Sequence, residues 1–77
     1  HILIIPREHI ETLNDLRPGH AGVVGDMHLL AAQLARAEGI ADKGYRVVFN
    51  CGRDAGQAVY HIHLHLLGGR VLDWPPG

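Results

Sequence analysis

His61-Ile62-His63-Leu64-His65-Leu66-Leu67 sets histidine at every second position and fills each gap with an aliphatic residue. An extended chain sends successive side chains to opposite sides, so His61, His63 and His65 share one face while Ile62, Leu64 and Leu66 share the other. The stretch reads as one strand whose apolar row faces a core and whose imidazole row faces a cleft or solvent. Three of the chain's seven histidines fall here. Plain solvent-facing strand positions would be served better by Thr, Lys or Glu, so the concentration points to chemistry.

The remaining chain supplies what such a strand needs to pack against. Ile2 to Ile5 is a short, β-branched-rich apolar run closed by Pro6, which has no N–H to donate, and it is expected to be a strand buried on both faces. Ile10, Leu13 and Leu16 suggest a short helix or turn before Pro18-Gly19. From about Gly19 to Glu38, Val23, Met27, Leu30, Leu34 and Ala37 recur at three- and four-residue steps, with Val24, Ala31 and Ala35 widening the stripe, and this predicts the main helix. Gly39 fits its C-terminal stop. Tyr45 to Asn50 is a second clear strand. The glycine-bearing loop Cys51 to Ala58 joins it to the histidine strand, so an antiparallel pair is the simplest arrangement. The expected class is α+β, an antiparallel sheet with one main helix packed on it.

A chain of 77 residues holds one small domain with a modest core, which makes a partner subunit or further sequence plausible. The opening His1-Ile2-Leu3-Ile4-Ile5, already strand-like and without an initiator Met, reads as an excerpt, or a processed piece, whose amino-terminal elements lie outside it. Seven basic against eight acidic residues propose neither a nucleic-acid groove nor a membrane-surface patch. No apolar run approaches the ~18 residues of a membrane span. The single cysteine, Cys51, points to a reducing, cytoplasmic compartment. Its placement reads as small apolar filler rather than a reactive thiol.

Two chemistries suit a row of histidines. A zinc ion could take two of them. At about 3.3 Å per residue, however, His61 and His65 stand roughly 13 Å apart along the strand, too far to converge on bonds of about 2.0–2.1 Å. Covalent catalysis divides the work better: a neutral imidazole attacks an electrophile such as phosphorus, while its neighbours bind charge and supply a proton. The loop at Gly56-Gln57-Ala58 can present backbone N–H groups to phosphoryl oxygens. His9, His20 and His28 fall out of phase with the row and read as surface or structural positions.

These residues resemble the histidine-triad (HIT) family, whose signature is His-x-His-x-His followed by two apolar residues. Asn50, Gly56-Gln57, Val59, Gly68-Gly69-Arg70 and the closing Trp74-Pro75-Pro76-Gly77 are similar to its Hint branch, the histidine-triad nucleotide-binding proteins. The opening stretch His1 to Ile10 is similar to the strand carrying that branch's fourth histidine. The resemblance implies a HIT-like fold over residues 1–77, without its N-terminal strands and part of its purine pocket. It implies hydrolysis of purine nucleoside phosphoramidates or aminoacyl adenylates through a nucleotidyl-histidine intermediate, with no cofactor and no metal. His63 would be the nucleophile, and the backbone carbonyl of His61 would fix its tautomer. His65 would bind phosphate oxygen and assist the leaving group, and His1 would support the triad. Asn50, Gly56, Gln57, Ala58 and Val59 would contact an AMP-like nucleotide together with His63 and His65. Trp74 would reach across a homodimer. Ala58 departs from the family's usual Ser or Thr, so the hydroxyl contact is lost there. A purine-nucleotide-binding or protein-interaction module without turnover is the alternative.

Overall fold

The computed structural model describes residues 1–77, in a three-stranded antiparallel sheet carrying one long helix. Strand β1 is Ile2–Ile4, helix α1 is Ala21–Ala37, strand β2 is Tyr45–Val48 and strand β3 is Leu64–Gly68. The sheet order β1-β3-β2 puts the histidine-bearing strand in the centre. Ile2, Leu3 and Ile4 face Leu66, His65 and Leu64, while Val47 and Val48 face Leu66 and His65. Residues opposite one another share a face. Ile2, Ile4, Val47, Leu64 and Leu66 therefore turn toward α1, and Leu3, Val48 and His65 turn the other way.

The core is the seam between α1 and the first of these faces. Ile4, Ile10, Met27, Ala31, Ala35, Ile62, Leu64 and Leu66 are buried, with Leu64 and Leu66 excluded from solvent almost completely. The helix presents small residues, Ala31 and Ala35, where it crosses β3, so the two backbones approach closely over the two leucines. Truncating either leucine to alanine would cost about 2–5 kcal/mol by the usual cavity penalty.

Capping explains the limits of α1. A single turn of tighter helix over Pro18–His20 leads into it, closed by the Arg17 N–H donating to His20 Nδ1 at 2.9 Å. His20 Nε2 reaches Glu8 at 3.0 Å, tying the helix start to the segment after β1. At the other end Gly39, at φ 74°, lets the Ile40 N–H return to the Ala35 carbonyl and its own N–H to that of Arg36. This wrap satisfies carbonyls the helix leaves open.

Three expectations need correction. β1 is an edge strand rather than one buried on both faces, with Leu3 55% and Ile5 62% exposed, because the central place goes to β3. Regular pairing of the histidine stretch starts only at Leu64, because the Ile62 N–H bonds to the Ile10 carbonyl (2.7 Å) and not to a strand partner. The in-out alternation nevertheless runs unbroken from His61 to Leu66. The short helix or turn expected before Pro18-Gly19 is present as one tight helical turn, Leu13–Asp15, capped by Thr12 and by the Asp15 carboxylate, which accepts from the Thr12 N–H. On α1 the buried stripe runs through Met27, Ala31 and Ala35, leaving Leu30 and Ala37 exposed.

Candidate active site

Four histidines meet on the sheet face opposite α1, and the strand register brings them there. β3 carries His65, the extended stretch before it carries His63 and His61, and His1 enters from the start of β1. Because Ile2 pairs with Leu66, His1 lies beyond that pair on the His65 face, diagonal to His65. His1 Nε2 and His65 Nδ1 are 2.8 Å apart.

His63 Nδ1 donates to the backbone carbonyl of His61 at 2.8 Å. A carbonyl can only accept, so the proton sits on Nδ1, and a neutral His63 keeps its lone pair on Nε2. His63 Nε2 has no partner in the chain and is not buried, whereas His65 Nε2 is both buried and unpartnered. The His63 and His65 rings are 5.0 Å apart, edge toward face. Burial, and secondarily the neighbouring His63, holds the His65 pKa below its ordinary value of 6.5. His65 is thus neutral at pH 7, beside the His63 Nε2, whose lone pair is free to attack.

The His61 ring points away from the other two. Its Nε2–H donates to the Pro6 carbonyl at 2.9 Å, and its Nδ1 lies 3.1 Å from His9 Nδ1. His9 was expected to be a surface or structural position out of phase with the row, and it is exposed. The structure brings it to the triad across 52 residues of sequence, and no local pattern around it signals that contact. His20 and His28 stay apart from the triad, bonded to Glu8 and to the Val24 carbonyl.

The Cys51 to Ala58 loop is built around Gln57, only 6% exposed. Its side-chain oxygen accepts from the Gly52 N–H, and its amide donates to the carbonyls of Glu11 and Val59. Its own N–H goes to Gly52. Gln57 thereby spends its polar groups on holding the loop. Gly52 and Gly56 take positive φ, 83° and 82°, where a side chain would strain the backbone. Beyond Gln57 the N–H groups of Ala58 and Val59 bond to no group of the chain, and both residues are exposed. Asn50 and Cys51 are half-buried at the loop's start, with the Cys51 thiol free.

Trp74, in the carboxy-terminal tail, is 79% exposed, with the Arg46 guanidinium 5.7 Å from its ring centre and also donating to the Asp73 carbonyl. Arg70 donates to the Val71 carbonyl next to it. A cleft of about 440 Å³ lies between the Gly39–Gly44 turn and Gly69–Val71, and no histidine lines it. No three His, Cys, Asp or Glu side chains converge as metal ligands, and no helix is long and apolar enough to cross a membrane.

A family model described as "HIT domain" matches residues 1–72. The purine nucleoside phosphoramidase of Escherichia coli strain K12 is 54% identical over 72 residues, which is 94% of this chain and 60% of that protein. The chain thus spans somewhat under two thirds of that relative's length. The crystal structure of a HIT family hydrolase from Legionella pneumophila Philadelphia 1 superposes with a TM-score of 0.96 at 52% identity, covering 97% of this chain and 67% of that one. A histidine triad protein from Clostridium difficile gives a TM-score of 0.88 at 35% identity, covering 92% of this chain and 62% of that one.

Proposed function

The chain belongs to the HIT domain family, and from that premise we propose that it hydrolyses purine nucleoside phosphoramidates by covalent histidine catalysis. The observation carrying this reading is the His63 Nδ1–H bond to the His61 carbonyl, which leaves Nε2 unpartnered and accessible beside a neutral His65. Nε2 attacks phosphorus, the P–N bond breaks, and the amine departs with a proton taken up from solvent, helped by a hydrogen bond from the neutral His65. That bond is available when His1 Nε2–H donates to His65 Nδ1, the tautomer that puts the His65 proton on its buried Nε2. Water then attacks the nucleotidyl-histidine, gives up its proton to solvent and releases the nucleoside monophosphate with His63 as it began. The positive charge His63 carries in the intermediate is stabilised by the His61 carbonyl.

The free N–H groups of Ala58 and Val59 would receive phosphoryl oxygens, and Asn50 and the Gly56 turn would meet the ribose. Gln57 would contribute by shaping this loop. Aminoacyl adenylates, which also carry an electrophilic phosphorus on a nucleoside, are candidate substrates for the same step. We place the remainder of the purine pocket in sequence that the longer relatives have and this chain does not span. We further assign the chain to the cytoplasm, in keeping with its one free thiol, and to a homodimer in which Trp74 contacts the partner.

Steady-state turnover of adenosine 5′-phosphoramidate by the full-length protein tests the reading. Release of AMP that survives a chelator and is lost in His63→Ala supports it. Unchanged turnover in that variant would remove His63 as nucleophile. Nucleotide binding without turnover in the wild type would favour a binding module, to which the missing hydroxyl at Ala58 is suited.

A further inference from the structure

The first triad histidine is held at both ring nitrogens by one short segment, Pro6 to Glu11. Pro6 has only a carbonyl to offer, so His61 Nε2 carries the proton and its Nδ1, in the neutral ring, is an acceptor. His9 Nδ1, 3.1 Å away, must then be the donor. The ring centres are 5.2 Å apart with 21° between planes. His9 itself is exposed and has no other hydrogen bond.

The segment that brings His9 is well anchored. The Ile10 carbonyl accepts from the Ile62 N–H at 2.7 Å, and the Glu11 carbonyl accepts from the buried Gln57 amide at 2.8 Å. Glu8 bonds to His20 at the start of α1, and the Ile10 side chain is part of the core. Fixed at these points, the segment has little freedom to carry His9 away from His61.

We propose that His9 is a positioning residue for the triad. By occupying His61 Nδ1 it completes the clamp on that ring, and the clamp keeps the His61 carbonyl on the Nδ1–H of His63. Its effect on catalysis rests on the hydrolase reading above; its effect on His63 does not. The arrangement acts on the attacking residue through a backbone carbonyl, so it changes the rate of the chemical step and leaves substrate binding alone.

Two variants of the full-length protein test this. His9→Leu removes the donor and keeps the bulk, while His9→Asn can place an amide N–H close to where Nδ1–H stands. Each is assayed with adenosine 5′-phosphoramidate and by NMR for solvent exchange of the His63 Nδ1 proton. The expected result is a roughly two- to tenfold fall in kcat for His9→Leu, the scale of one neutral hydrogen bond, with KM within about twofold. The His63 Nδ1 proton exchanges faster in His9→Leu, and His9→Asn restores both readouts. Unchanged exchange of that proton in His9→Leu would overturn the proposal. So would parallel losses of kcat and melting temperature in both variants, the mark of a merely structural role. If even the wild type turns over no substrate, the hydrolase reading fails, and the proton-exchange comparison alone decides for or against His9.

Discussion

His63 Nδ1 stands 2.8 Å from the carbonyl oxygen of His61, two residues back along the same extended stretch. A side chain is thereby oriented by the backbone of its own strand. Substitution of His61 changes the ring but not the carbonyl. Substitution of His63 removes the attacking atom itself.

The two variants should therefore differ in degree. His63→Ala is expected to lose at least about 10³-fold in kcat, whereas His61→Ala keeps the acceptor for Nδ1–H and should lose only about 10- to 100-fold. Single-turnover rates with saturating adenosine 5′-phosphoramidate measure both. Equal losses would mean that the His61 ring takes part in the chemistry directly.

His65 makes stability depend on pH in a definite direction. Its pKa is lowered in the folded chain, mainly by burial and then by His63, while the unfolded chain titrates at the ordinary 6.5. Above 6.5 both states are neutral and the group contributes no slope. As pH falls below 6.5 the unfolded state takes up a proton that the native state refuses, so stability drops until pH reaches the folded value and then levels. Urea unfolding between pH 8 and pH 5, wild type against His65→Asn, should show a steeper acid loss in the wild type. A steeper loss in the variant would reverse the sign assigned here.

Gln57 joins three backbone segments, at Gly52, Glu11 and Val59, from a site that is nearly sealed. Gln57→Ala leaves those groups without their partner and should cost about 1–3 kcal/mol in denaturant melts. Because the loop also carries Ala58 and Val59, the variant should raise KM for the nucleotide as well. Unaltered stability would show that water replaces the amide at no cost.

A tryptophan as exposed as Trp74 is costly to leave in water and suits an interface core. Sedimentation velocity should find the full-length protein as a dimer, with Trp74→Ala shifted toward monomer. Identical sedimentation of the two would remove Trp74 from the interface.

How far the sequence reaches depends on whether a feature is local. Alternation of side chains is a property of any extended chain, so the burial of Ile62, Leu64 and Leu66 opposite the three histidines was legible from spacing alone. The α1 boundaries were nearly so, because Pro18 and Gly39 punctuate them. The helix stripe was not, since Leu29, Leu30 and Leu34 offer several apolar faces, and the choice fell to small residues that let the helix close on Leu64 and Leu66. Whether β1 lies at an edge is decided by the order β1-β3-β2, a long-range matter that the short apolar run Ile2 to Ile5 does not encode. The His9 contact with His61 is the extreme case. It joins positions 52 residues apart, and nothing in Arg7-Glu8-His9 distinguishes that histidine from a solvated one.

Covalent catalysis by His63 requires that the reaction pass through a bond between its Nε2 and phosphorus. Two successive in-line displacements return phosphorus to its starting configuration, whereas one direct attack by water inverts it. The decisive measurement is hydrolysis of a P-chiral adenosine phosphoramidothioate in ¹⁸O-labelled water by the full-length protein, with the configuration of the labelled product determined. Net retention is expected; net inversion would rule out a His63-bound intermediate.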